Sequence, residues 1–356
     1  MSVHRIPLDN TVFEGANNVY LADGPDTVLI DTGVAVPETK AALEAGLATY
    51  DRTFADVDAI VLTHYHADHA GLAGAIQAES GATVYAHEAD APLIAGDEAA
   101  WATLEATQRD HFESWGMPKA AREELLAFLE AGEEAGIYGD PVDVTPIQDG
   151  DTLSFDGLEL TTHHAPGHTA GLCCFSPADR PRELYTGDAL LPEYTPNVGG
   201  ADVRLEGALG AYIETLEWLI EADFDRAWPG HRDPIAEPTA RAKYILSHHE
   251  ERSYRVAEAL ATDGPGDAWT VSARLFGDLS NIHILHGPGE AFAHLEHLRA
   301  AGAVTRRDDG GSTQGGGDGE RDTSDGGDGH QYALTEHGRT TLESVTDGRW
   351  PLSELV

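Results

Sequence analysis

Lysine is nearly missing from this chain. Only Lys40, Lys119 and Lys243 occur in 356 residues, and 22 basic residues stand against 62 acidic ones, a formal net charge of −40. That balance weighs against a surface built to neutralise nucleic-acid phosphates, which draws on Lys and Arg. It fits an acidic partner-binding face, or a halophilic-type surface that stays hydrated in concentrated salt while the salt screens its self-repulsion. The acids are spread along the whole chain, so adaptation to salt is the expectation. Cysteine is equally scarce. Cys173 and Cys174 are adjacent in an apolar run and cannot close an ordinary disulfide loop, so they are expected to be core residues in a reducing compartment. No stretch approaches eighteen uninterrupted apolar residues, and Met1-Ser2-Val3-His4-Arg5 lacks the apolar region of a signal peptide. A soluble, cytoplasmic protein with no membrane partner is expected.

Histidine, by contrast, is concentrated. Directly after the apolar run Ala59-Ile60-Val61-Leu62 the chain reads Thr63-His64-Tyr65-His66-Ala67-Asp68-His69. Three imidazoles and a carboxylate crowd where a buried strand should end, and each buried polar group left unpaired costs about 1–3 kcal/mol. A divalent metal satisfies them together, because neutral imidazole nitrogen and carboxylate oxygen are both good zinc donors. If the segment stays extended, the two-residue side-chain period turns His64, His66 and Asp68 to one side and His69 to the other. One loop could then serve two adjacent metals.

Short strands are expected near 19–21, 28–30, 59–62, 83–86, 158–162, 172–176 and 184–186, each bounded by Gly, Pro, Asp or Asn. Helical patterns fall at 37–47, 70–80 and 209–221, and an Ala- and Glu-rich helical stretch at 88–137 is expected to be an insertion or lid. A catalytic domain over 1–237 is followed by 238–356: a long helix at 242–260, helical pieces at 271–276 and 290–301, strands at 303–306 and 331–334, and a last helix opening at Thr335. The Gly-, Asp- and Ser-rich run 308–329 between those strands is expected to be disordered. Helices followed by such a hairpin suggest a winged helix.

Three further motifs offer one ligand each at a strand end, always behind a glycine: Gly167-His168-Thr169, Gly187-Asp188 and Gly230-His231. This ordered set, with Val28-Leu29-Ile30-Asp31-Thr32-Gly33, resembles the metallo-β-lactamase superfamily over about residues 10–235. The resemblance implies an α/β (α+β) fold, an αββα sandwich with the metals at one sheet edge. It implies two divalent metal ions, zinc by donor type: His64, His66 and His168 on the first, Asp68, His69 and His231 on the second, and Asp188 bridging. Asp31 would support the loop behind them. The implied chemistry is hydrolysis by a metal-bridging hydroxide, with Asp68 both a ligand and the orienting group.

Tyr194, Asn197 and Arg204, in the loop after Asp188, are candidate substrate-pocket residues. His87 and His111 read as structural or surface residues, and His163 and His164 precede the turn, where His164 could replace His168 only by breaking the Pro-Gly-His geometry. The cluster His248, Arg252 and Arg255, spaced to share one helix face, reads as a solvated face pairing with nearby Glu, or else as an anion-binding patch. The C-terminal region resembles the β-lactamase-like-protein-2 branch, which implies cleavage of single-stranded RNA; glyoxalase II shares the metal motif and implies thioester cleavage. A (thio)ester-type small-molecule substrate is expected ahead of RNA. A winged-helix ligand sensor without catalysis is another class, against which the intact ligand set argues, and a di-iron redox protein of the same fold is a third, against which His66 stands where such members carry a carboxylate.

Overall fold

The computed structural model describes residues 2–8, 10, 14–307, 329–353 and 355. Its centre is a pair of mixed sheets. The first has six strands in sequential order: β1 (Ser2–Pro7), β2 (Asn18–Asp23), β3 (Val28–Ile30), β4 (Ala59–Val61), β5 (Thr83–His87) and β6 (Val144–Ile147). β3 to β6 run parallel, with Val28 opposite Ala59 and Ile30 opposite Val61. The second sheet holds β7 (Thr152–Phe155), β8 (Leu158–His164), β9 (Cys173–Pro177), β10 (Glu183–Gly187) and β11 (Arg226–Pro229), in the order β11-β10-β9-β8-β7.

Side-chain alternation explains why the central strands read as continuous apolar runs: both of their faces are covered. Tyr20, Val28, Ile30, Ala59 and Val61 face Leu160, Phe175 and Tyr185 across the inter-sheet core. Their neighbours Val19, Leu21, Leu29, Ile60 and Leu62 enter the outer core instead. The adjacent cysteines split in the same way, Cys173 into the inter-sheet layer and Cys174 into the core outside the second sheet. Both are buried free thiols, which burial pushes up in pKa.

Helices cover both outer faces. On the first sheet's side lie α1 (Pro37–Ala48), the single turn α2 (Ala67–Ala70) and α3 (Ala73–Ser80). Between β5 and β6 come α4 (Ala91–Ile94), α5 (Glu98–Ser114) and α6 (Lys119–Glu134), where the 88–137 insertion is expected. α7 (Ala208–Ala222) covers the second sheet with Leu209, Tyr212, Ile213, Leu216 and Leu219, a stripe at helical spacing, and packs on the long α8 (Pro238–Asp263). Then follow α9 (Ala268–Phe276), α10 (His283–Ala300), an antiparallel hairpin of β12 (Val304–Arg307) and β13 (Gln331–Leu334), and α11 (Glu336–Ser344). Val271, Leu295 and Tyr332 of this C-terminal part share one continuous core with Leu104, Phe112 and Trp115 of the insertion. The segment expected to be disordered lies, but for Gly329, outside the described residues.

The cationic cluster on α8 is neither a solvated face nor an anion patch. Arg252 pairs with Glu290 of α10 at 2.5 Å, its guanidinium lies over Phe276, and Arg255 donates to the Leu275 carbonyl, so these side chains pin α8 to α9 and α10.

Candidate metal centre

All seven candidate ligands gather at one edge of the sandwich. His64, Asp188 and His231 follow the C-terminal ends of β4, β10 and β11, and His168 follows β8. Two backbone hydrogen bonds tie the sheets together at this edge: Cys173 N–H donates to the Thr63 carbonyl and Asn18 N–H to the Gly230 carbonyl, at 2.9 and 2.8 Å. Gly230 is needed where it stands. A Cβ there would lie 2.6 Å from both Asp188 Oδ1 and His69 Cε1.

The first histidine motif is not extended. The chain turns into α2 at Ala67, with His66 as the residue before the helix. Asp68 is therefore not on the side of His64 and His66, as the strand period suggests. The helical turn carries Asp68 and His69 together to His231. Two triads of ligand atoms result, His64–His66–His168 and Asp68–His69–His231, and Asp188 lies between them, grouped with His64 and His69.

Hydrogen bonding fixes which ring nitrogen faces inward, because a carbonyl can only accept. His66 Nε2–H donates to the Ala201 carbonyl, leaving its Nδ1 lone pair inward; His168 Nδ1–H donates to the Asn197 carbonyl, leaving Nε2 inward. Thr63 Oγ1 gives its proton to Asp31 and accepts from His64 Nδ1, so His64 Nε2 also faces in. His64 Nε2 and His168 Nε2 stand 3.0 and 3.1 Å from His66 Nδ1. With the rings neutral, three lone pairs converge with no proton among them. Burial, followed by the neighbouring imidazoles, holds His64 well below its usual pKa and His66 down to about 4, so protonation does not relieve the crowding near neutral pH.

The second triad is built the same way. His69 Nδ1–H donates to Asp31 at 2.9 Å and His231 Nδ1–H to the Gly15 carbonyl at 2.8 Å. Their Nε2 atoms, and Asp188 Oδ1, are buried without any hydrogen-bond partner among the described residues. They stand 3.4–3.7 Å from the oxygens of Asp68 and Asp188. Those gaps are too long for good hydrogen bonds, yet match the ~3.4 Å edge of a tetrahedron with zinc–ligand bonds of about 2.1 Å. The residues present fit divalent metal. Burial alone would lower His69 and His231, but Asp188, Asp68 and, at His69, Asp31 push them up to about 10 and about 9. Carboxylates that raise two buried imidazoles in this way make the pocket one that favours positive charge, as a metal site must.

The metallo-beta-lactamase superfamily profile matches residues 12–231, well over half of the chain and every residue of this cluster. The chain belongs to the metallo-beta-lactamase superfamily. It is a metal-dependent hydrolase with the superfamily's mixed α/β fold. A probable metallo-hydrolase of Bacillus subtilis, YqjP, is 27% identical over 297 residues, spanning 81% of this chain and 89% of that protein. The crystal structure of a metallo-beta-lactamase family protein from Thermus thermophilus is 29% identical, with a TM-score of 0.75 over 94% of this chain and 98% of that one. The atrochrysone carboxyl ACP thioesterase of Emericella nidulans is 24% identical over 68% of this chain, which spans 60% of that protein's length.

Around this superfamily site one of the outer residues, Arg204, lies elsewhere than expected. Arg204 does not line the cavity of about 880 Å³ into which His66, Asp68, His168 and Asp188 face. Its guanidinium is held by Asp90 and Asp202, both at 2.6 Å and both fully buried, and lies over the Tyr65 ring. Asn197 lines the cavity, but its side-chain oxygen accepts from the backbone of Gly200 and Ala201, and its carbonyl orients His168. Tyr194 lines the cavity and is half exposed, with Arg232 against its ring. Asp31 sits where the resemblance puts it, accepting from Thr63 N, Thr63 Oγ1 and His69 Nδ1. Sequence reasoning missed Asn17, whose Nδ2 donates to Asp68 Oδ2 at 3.1 Å. It also missed His283 and His286, which reach the cavity from the first turn of α10. No local pattern marks Asn17, because its partner is 51 residues away.

Proposed function

We propose that the protein is a dinuclear metal hydrolase acting on a (thio)ester-type small molecule. The observation that carries the reading is the pair of inward-facing donor triads flanking Asp188 at the floor of a cavity of about 880 Å³. Divalent ions bound there, zinc by the nature of the donors, would polarise the substrate carbonyl and acidify a water molecule. The chain's own side chains do the rest. Asn17 holds the Asp68 carboxylate in one orientation, so that Asp68 can take a hydrogen bond from the attacking water and direct its lone pair. Asp31 and the Gly15 and Asn197 carbonyls fix the ring orientations that keep the donor atoms converged.

A small substrate is favoured over RNA by charge. Exposed Glu105, Glu130 and Glu133 line the cavity, and among the described residues its only Lys or Arg lining is Arg109 and Arg232. A polyanion approaching that mouth meets like charge. The thioesterase named among the relatives supports the same substrate class. Metal-loaded protein, assayed at molar salt on thioesters, lactones and single-stranded RNA, is expected to turn over thioesters and to lose that turnover in His168→Ala. Cleavage of RNA with no ester turnover would overturn the assignment.

A further inference from the structure

The cavity is larger and more apolar than ester chemistry requires. Its floor carries His66, Asp68, His168 and Asp188, but its far walls are Leu93, Trp101, Leu104 and Phe112 from α4 and α5, Leu126 and Leu129 from α6, and Ile282 and Leu285 beside and within α10. At about 880 Å³ it lies near the top of the ~300–1,000 Å³ range that accommodates drug-sized ligands.

α6 supplies the second observation. It carries Leu125, Leu126, Phe128 and Leu129, yet only Leu125 is buried; Leu126 is 43% and Phe128 37% exposed. Leu126 and Leu129 both line the cavity, and Leu129 packs on the core as well. A cavity-lining helix with an exposed apolar face presents area that a bound apolar group would take out of water. Of the polar lining, the donor cluster sits at the floor and Glu105, Glu130 and Glu133 are exposed on α5 and α6, while His283 and His286 stand beside the α10 wall.

We propose that the space between α5, α6 and the start of α10 is an acyl-binding chamber: the substrate is a (thio)ester of a long-chain apolar acid, with α6 selecting it by length. This rests on the hydrolase reading above and adds the identity of the acid. In the reaction, water's oxygen bonds to the acyl carbon, the bond from that carbon to sulfur or oxygen breaks, and the leaving thiol or alcohol takes the proton that water gives up.

The test uses N-acetylcysteamine thioesters from acetyl to dodecanoyl on the metal-loaded full chain. Each methylene entering the chamber should raise kcat/KM by about four-fold until the chamber is full. Leu126→Asp and Leu129→Asp should flatten that slope; Leu126 is a surface position, so folding of that variant is not at issue. Separately, calorimetric titration with the non-hydrolysable N-methyldodecanamide should show binding that N-methylbutanamide lacks. Turnover of short thioesters with no gain from chain length, or no difference between the two amides, overturns the chamber. Binding of the long amide without turnover of any ester sustains the chamber and refutes the hydrolase reading instead.

Discussion

Replacing Asp31 by asparagine tests whether the buried scaffold behind the histidines governs metal affinity. Asp31 is 3% exposed, has a left-handed backbone (φ 60°) that asparagine tolerates as well as aspartate, and differs from asparagine by one atom. Its Oδ1 accepts from Thr63 N, while Oδ2 accepts from both Thr63 Oγ1 and His69 Nδ1. An amide NH2 in place of Oδ2 sets a donor against two donors. Leaving those two buried groups unsatisfied should cost about 2–6 kcal/mol, at ~1–3 kcal/mol each. His69 can escape by moving its proton to Nε2, which removes the lone pair from the metal. Metal affinity should then fall about 10–100-fold. Competition against a chromophoric chelator reads the affinity, and thermal unfolding of the metal-free protein reads the stability. A variant with unchanged affinity and unchanged Tm would refute the role given to Asp31.

Arg204→Ala should act on stability, since it strands Asp90 and Asp202 as buried, uncompensated carboxylates; a loss of about 3–5 kcal/mol in urea unfolding is expected, and a loss below about 1 kcal/mol would contradict it. Burial, then His248, pushes His249 down to about 3, and burial, then His249, holds His294 well below its usual value. Both rings stay neutral in the fold while the unfolded chain protonates them near pH 6.5, so their contribution is complete above that pH and is lost as pH falls below it, with a slope of up to about 2.7 kcal/mol per pH unit for the two. Denaturant midpoints between pH 7 and pH 5 at high salt should show that loss, and His249→Leu should lessen it; equal slopes would refute it. The charge of −40 should make Tm rise between 0.1 and 2 M KCl, and a flat or falling Tm would remove the case for salt adaptation.

The sandwich was legible because its central strands are apolar on both faces. The expected 28–30 and 59–62 segments are the adjacent parallel strands Val28–Ile30 and Ala59–Val61. The edge strand Ser2–Pro7, with one buried residue, has no such run and escaped notice. Within the ligand motif, the strand period failed where Ala67 and Ala70, good helix formers, begin a turn immediately behind His66. The helical piece expected over 290–301 is the later part of α10; Gly287-Pro288-Gly289 just before it are residue types that disfavour a helix interior. In the fold the helix continues through Pro288, and a Cβ on Gly289 would lie 2.3 Å from Gly200 Cα. The glycine is there for that close approach, and the helix before it brings His283 and His286 to the cavity. Arg204 misled for a different reason: a lone arginine in a pocket loop gives no sign that its partner, Asp90, waits 114 residues earlier.

Zinc titration of the metal-free protein tests directly whether the two donor triads act with Asp188 as one dinuclear site. Calorimetry should find two equivalents per chain, and Asp188→Ala should weaken both. Uptake of a single equivalent, or of none, would contradict the account.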